Sequence, residues 1–170
     1  MFNEWATPWD FYNAIDNRFS FTCDVCALPS NAKHPNFYTP DIDGLSQLWS
    51  GVCWMNPPYN NVPLWVEKAY IESQRGITVV SLLASRSSET QWWHEYVMRA
   101  SELWFVKNRL WFSKGGVRSR SNHASVIAIF SPHCSGVETI RAIDTQGSFI
   151  EKRKNERSTT NRIQLSLNLQ

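Results

Sequence analysis

The stretch Val52-Cys53-Trp54-Met55-Asn56-Pro57-Pro58-Tyr59 runs from four apolar residues straight into an amide, two prolines and an aromatic ring. An apolar run this short, broken this sharply, reads as a buried strand ending at residue 55. A helix is expected from about 62 to 75, opening near Asn61 with Pro63 in its first turn and stopped by Gly76. Val62, Trp65, Val66 and Ala69 would share its buried face. Ile77 to Ala84 is then continuously apolar apart from Thr78 and Ser81, as in a strand covered on both faces of a parallel sheet. Strand, helix and strand in this order predict an α/β fold with a doubly wound sheet.

The flanks extend the same pattern. Thr7-Pro8-Trp9-Asp10 places a capping hydroxyl before a proline and an acid, which predicts a helix from about 8 to 18 with Phe11, Ala14 and Ile15 buried. Phe19, Phe21 and Cys23 alternate into a short strand that ends at Asp24. Ser88-Glu89-Thr90-Gln91 reads as a capping box opening a helix to about Ala100, followed by strands near 102–106, 109–113 and 123–130. Past residue 143 the chain turns polar and charged, so 1–143 is the expected folded body and 144–170 a tail.

The composition supports one core rather than two, with 170 residues of which 42% are hydrophobic. The N-terminus lacks a signal-peptide pattern and no run of apolar residues is long enough to span a bilayer, so no membrane partner is expected. Cys23, Cys26, Cys53 and Cys134 are too sparse for a disulfide scaffold. Cys23-x-x-Cys26 lacks the second well-spaced pair that a zinc site wants, since His34, Cys53, His133 and Cys134 are scattered, and no metal is expected.

Net charge is +2, but residues 1–80 hold four Lys/Arg against eight Asp/Glu, and residues 81–170 thirteen against seven. The second half is therefore the one suited to phosphates. Lys107, Arg109, Lys114, Arg118 and Arg120 fall within 14 residues that contain no acid, around Gly115-Gly116. They read as a flexible loop suited to following a phosphate backbone, with a solvated charged face as the competing expectation.

Asn56-Pro57-Pro58-Tyr59 carries the chemistry. In open α/β sheets ligands bind beyond the carboxyl ends of the strands, where this tetrapeptide falls. Two prolines stiffen the backbone, so the Asn56 amide and the Pro57 carbonyl can act as fixed acceptors beside the flat face of Tyr59. Two acceptors and a ring suit an exocyclic amine on a planar base.

The tetrapeptide after an apolar strand resembles the active-site signature of S-adenosylmethionine-dependent amino-methyltransferases. With Glu4-Trp5-Ala6-Thr7-Pro8, Phe21-Thr22-Cys23-Asp24-Val25-Cys26-Ala27, Asp43-Gly44-Leu45 and Asn108-Arg109-Leu110-Trp111-Phe112, the chain resembles the small phage-type DNA N6-adenine methyltransferases over roughly residues 4–130. That resemblance implies a Rossmann-like mixed sheet and S-adenosylmethionine as cofactor. It also implies direct transfer to N6 of an adenine flipped out of double-stranded DNA, in the cytoplasm of a phage-infected bacterium.

By position it implies catalytic roles for Asn56, Pro57, Pro58 and Tyr59, with Asn56 also bordering the cofactor. Thr7-Pro8 would help hold the cofactor's methionine tail, and Asp24 would lie near its amino group. Asp43, with Asp41 as competitor, would bind the ribose. The chain departs from the general methyltransferase pattern in having Ala27-Leu28-Pro29-Ser30, with no glycine, after the first strand. Methylation of a protein glutamine amide, or DNA binding without catalysis, are the alternatives. In the tail, Gln164, Leu165, Leu167 and Leu169 resemble the peptides that bind the bacterial sliding clamp; an edge strand is the competing expectation.

Overall fold

A computed structural model describes residues 5–151. The chain order is α1 (Trp9–Phe19), β1 (Cys23–Asp24), β2 (Val52–Met55), α2 (Val62–Gln74), β3 (Thr78–Ala84), α3 (Gln91–Glu95), β4 (Glu102–Val106), β5 (Trp111–Lys114), β6 (Val117–Arg120), β7 (Ser125–Phe130) and β8 (Thr139–Ile143). Among the described residues six strands form one mixed sheet in the order β1-β2-β3-β7-β4-β8. β1, β2 and β3 run parallel, β7 is antiparallel to both of its neighbours, and β4 and β8 pair in parallel. The protein is thus a mixed α/β fold.

Period-two alternation along the strands splits the core in two. Cys53, Met55, Val79 and Val126 pack with Trp65, Val66 and Ala69 of α2 and with Trp93 of α3. Trp54, Val80, Leu82 and Ile127 face the opposite way, onto Phe11, Tyr12 and Ile15 of α1. β3 and β7 are apolar apart from Thr78, Ser81 and Ser125 because both of their faces are covered.

Several expected elements form differently. Pro8, not Thr7, occupies the cap position of α1 and no side chain caps it. The strand expected through Phe19 and Phe21 shrinks to Cys23–Asp24, because both rings turn instead onto an aromatic cluster with Tyr12, Trp54 and Trp104. The helix expected up to Ala100 is five residues followed by a 3₁₀ turn at Val97–Arg99; Thr90 is its cap residue and makes no capping bond. Trp93 is buried beneath it.

The basic stretch around Gly115-Gly116 is a β-hairpin rather than a loop. Both glycines have positive φ, 55° and 81°, as a two-residue hairpin turn of the twist-matched type requires. This turn lets β5 and β6 pair from Trp111↔Arg120 to Lys114↔Val117. β8 adds an unexpected edge strand, after which the chain turns back so that Phe149 meets Trp104 edge-on at 4.8 Å. No helix among the described residues is long and apolar enough to cross a membrane. The sliding-clamp reading of Gln164, Leu165, Leu167 and Leu169 lies outside the described residues.

Candidate active site

The carboxyl ends of β2 and β3 and the amino end of β7 share one edge of the sheet, since Ala84 pairs with Ser125. Asn56 to Tyr59 leaves the sheet there. Pro57 and Pro58 are buried, which anchors the segment, while Tyr59 is 52% exposed. Asn56 Nδ2 donates to Thr7 Oγ1 at 3.2 Å. Thr7 is 2% exposed, and its hydroxyl serves Asn56 rather than α1. Bonding the amide through its nitrogen presents Oδ1, the acceptor, on the other side. Thr7 is itself held by a two-hydrogen-bond bridge between Ala6 and Ser113 of β5.

Beside this pair lies a niche of about 10 Å³ lined by Trp5, Thr7, Asp24, Asn31, Lys33 and Asn56, among others. Asp24 ends β1 and is 3% exposed. Its Oδ2 accepts the Lys33 N–H at 3.0 Å and its Oδ1 the Cys26 N–H at 3.4 Å. Burial pushes its carboxyl up to about 6 against the pull of those two N–H groups and of the Lys33 and His34 charges. Lys33, 7% exposed, has its ammonium 3.9 Å from the Trp9 ring centroid, and burial lowers it to about 8.

Asp43 lies on the other side of the motif. It lines a cavity of about 160 Å³ with Pro58, Asn60, Asn61 and Trp65, a set that does not include Asp41. Its loop closes over the exit of β1 because residue 44 is glycine: a Cβ there would stand 2.2 Å from the Val25 carbonyl oxygen.

Tyr59 borders two larger cavities. One, of about 280 Å³, is walled by Trp5, Arg86, Phe112, Arg120, Asn122 and His123; the other, of about 260 Å³, by Pro57, Val62, Leu83, Arg86 and Trp92. Arg120 is thus the member of the basic run that reaches the motif. The Arg118 guanidinium lies 6.0 Å from the Trp111 ring centroid on the exposed hairpin. Arg109 is folded back, its guanidinium donating to the Ser121 and Asn122 carbonyls, while Lys107 and Lys114 are exposed.

Arg86 and Lys33 are prominent in the site but carried no signal in the sequence. Each is a lone cation in a polar turn, and only the fold sets it beside Tyr59 or Asp24. The cysteines are buried thiols, with burial raising Cys23 to about 11 and Cys53 to about 12. No cluster of three or more His, Cys, Asp or Glu among the described residues is placed to hold a metal.

An oriented amide and a ring stand at the carboxyl ends of parallel strands, with a buried acid beside them. Comparison with known proteins gives the class of the protein. The model of the DNA N-6-adenine-methyltransferase (Dam) family matches residues 2–162. A DNA N-6-adenine-methyltransferase of Haemophilus phage HP1 (strain HP1c1) is 33% identical over 135 residues, 75% of this chain and 78% of the relative. One of Escherichia phage T1 is 26% identical over 106 residues, 61% of this chain and 44% of that protein. The chain belongs to the DNA N-6-adenine-methyltransferase (Dam) family and is an adenine-specific DNA methyltransferase. The family's reaction implies S-adenosylmethionine as methyl donor.

Proposed function

We propose that the sheet is the doubly wound Rossmann-like type and that methyl transfer takes place at Asn56, between the Asp24 niche and the Tyr59 cavities. The observation that carries this reading is the Thr7–Asn56 hydrogen bond at the end of β2, which engages the amide through its nitrogen and leaves Oδ1 as an acceptor in a residue that lines both the Asp24 niche and a small pocket shared with Tyr59. When bound, S-adenosylmethionine supplies a methyl group on a sulfonium. The residues present suit it: Asp24 for its ammonium, Thr7 and Pro8 along its amino-acid tail and Asp43 for its ribose.

On the substrate side, Asn56 Oδ1 and the Pro57 carbonyl accept the two hydrogens of the adenine amine and direct its lone pair toward the methyl. The positive charge that develops on N6 is stabilised by the same two dipoles, which need no reorganisation, and N6 then releases one of its two hydrogens as a proton to solvent. N6 lies inside base pairing, so the adenine is flipped from the duplex and stacks on Tyr59. Lys107, Lys114, Arg118 and Arg120 on and around the hairpin, with Arg86, meet the DNA backbone in the cytoplasm of the bacterial host.

Incubation with labelled S-adenosylmethionine and duplex DNA, followed by nucleoside analysis, tests the reading. Label in N6-methyladenine that disappears with Asn56→Ala supports it. Label in protein, or in DNA from both forms alike, overturns it.

A further inference from the structure

The amino-acid tail of the methyl donor carries an ammonium and a carboxylate on one carbon, and Asp24 answers only the first. Left beside Asp24 in a buried niche, the carboxylate would meet a like charge with little solvent to screen it. The niche needs a cation. Among the described residues that wall it, Lys33 is the one that carries positive charge.

Lys33 is also tied to the acid. Its own backbone N–H donates to Asp24 Oδ2 at 3.0 Å, so the residue bearing the cation is held to the residue bearing the anion by main chain. Its side chain is 7% exposed, although lysine is almost never buried unless paired, and its ammonium lies over the face of Trp9 at 3.9 Å. An indole face compensates a desolvated ammonium only in part. The niche is tight, about 10 Å³, so seating the tail there requires Lys33 to shift on its flexible stem, together with Trp9, which is 54% exposed.

We propose that Lys33 is the counter-ion for the carboxylate of the bound methyl donor, forming with Asp24 a site for a zwitterion. This rests on the reading of the Asp24 niche as the place of the cofactor's amino-acid tail. A lysine that merely steadied Asp24 would affect every ligand of the niche equally. A counter-ion discriminates by the carboxylate.

Calorimetry on the full chain decides, with S-adenosylmethionine and its decarboxylated form, which keeps sulfonium, adenosine and ammonium, as the two probes. The wild type should prefer S-adenosylmethionine by about tenfold or more, as a charge-assisted hydrogen bond implies. Lys33→Met should lose about 10- to 100-fold for S-adenosylmethionine. Its affinity for the decarboxylated form should be unchanged or higher, which also shows that the variant is folded. Equal losses for both ligands, no loss for either, or a wild type without preference would each overturn the role of Lys33. A wild type that binds neither ligand overturns the cofactor reading of the niche itself.

Discussion

Asn56 Nδ2 donates to Thr7 Oγ1 at 3.2 Å across 49 residues of chain, joining the end of β2 to the segment that enters α1. Because Thr7 is buried, the amide cannot rotate without leaving a polar group unsatisfied. Asn56→Ala should slow methyl transfer by about 10²–10³ with little change in cofactor affinity. Thr7→Val should slow it by about tenfold or more through the misplaced amide, and Thr7→Ser should restore most of the rate. Single-turnover rates on duplex DNA, with cofactor affinity measured separately, check both.

Tyr59 is half exposed between cavities, where a ring contributes little to the core. Tyr59→Ala should lose about 1–3 kcal/mol of base stacking, and Tyr59→Phe should keep most activity. Equal rates for all three forms would make the ring structural. A fluorescent adenine analogue at the target position reports the flipped base directly.

Asp24 should impose an acid limb on cofactor binding. Its carboxyl sits near 6 in the folded chain, above the ordinary 3.8, so it takes up a proton as pH falls through about 6. Affinity for the cofactor's ammonium should fall there, and Asp24→Asn should bind weakly at every pH without that limb. Stability runs the other way. The folded chain holds the proton more tightly than the unfolded one between about pH 4 and 6, so this residue's contribution to stability rises as pH falls through that window. Calorimetric titrations and thermal unfolding from about pH 4 to 7.5 separate the two effects.

The basic residues should divide by geometry. Arg118 and Arg120 lie on the exposed hairpin, and neutralising both should flatten the salt dependence of DNA affinity by up to about two units in log–log slope. Arg109, whose guanidinium donates to the Ser121 and Asn122 carbonyls, should chiefly affect thermal stability when changed to Ala. Affinity measured across a salt series, beside melting curves, distinguishes these outcomes.

Gly44 positions Asp43. Gly44→Ala drives a Cβ against the Val25 carbonyl oxygen, so the 39–45 loop must shift and both stability and cofactor affinity should drop. Unchanged affinity in a folded variant would detach Asp43 from the cofactor.

Patterns that repeat along the chain decided much by themselves. Val52 to Met55 and Thr78 to Ala84 are strands because their apolar runs stop at prolines or polar turns, and α2 ends near Gly76 as its spacing predicts. The Asn-Pro-Pro-Tyr segment fixes where β2 stops, because two prolines end a strand whatever the rest of the chain does. What depends on distant partners was decided only in three dimensions. Thr7 reads locally as a helix cap, yet burial against β2 turns its hydroxyl to Asn56. The run from Lys114 to Arg120 is polar enough for a loop, yet two positive-φ glycines and a bridge from Ala6 to Ser113 make it a hairpin. β8 leaves Ile140, Arg141 and Ala142 exposed in succession, an edge strand whose pairing with β4 no local pattern announces. Lys33 lies beside Asp24 and Arg86 beside Tyr59 because the sheet order brings their turns to the strand ends, and a single cation in a turn has no periodicity to betray its place.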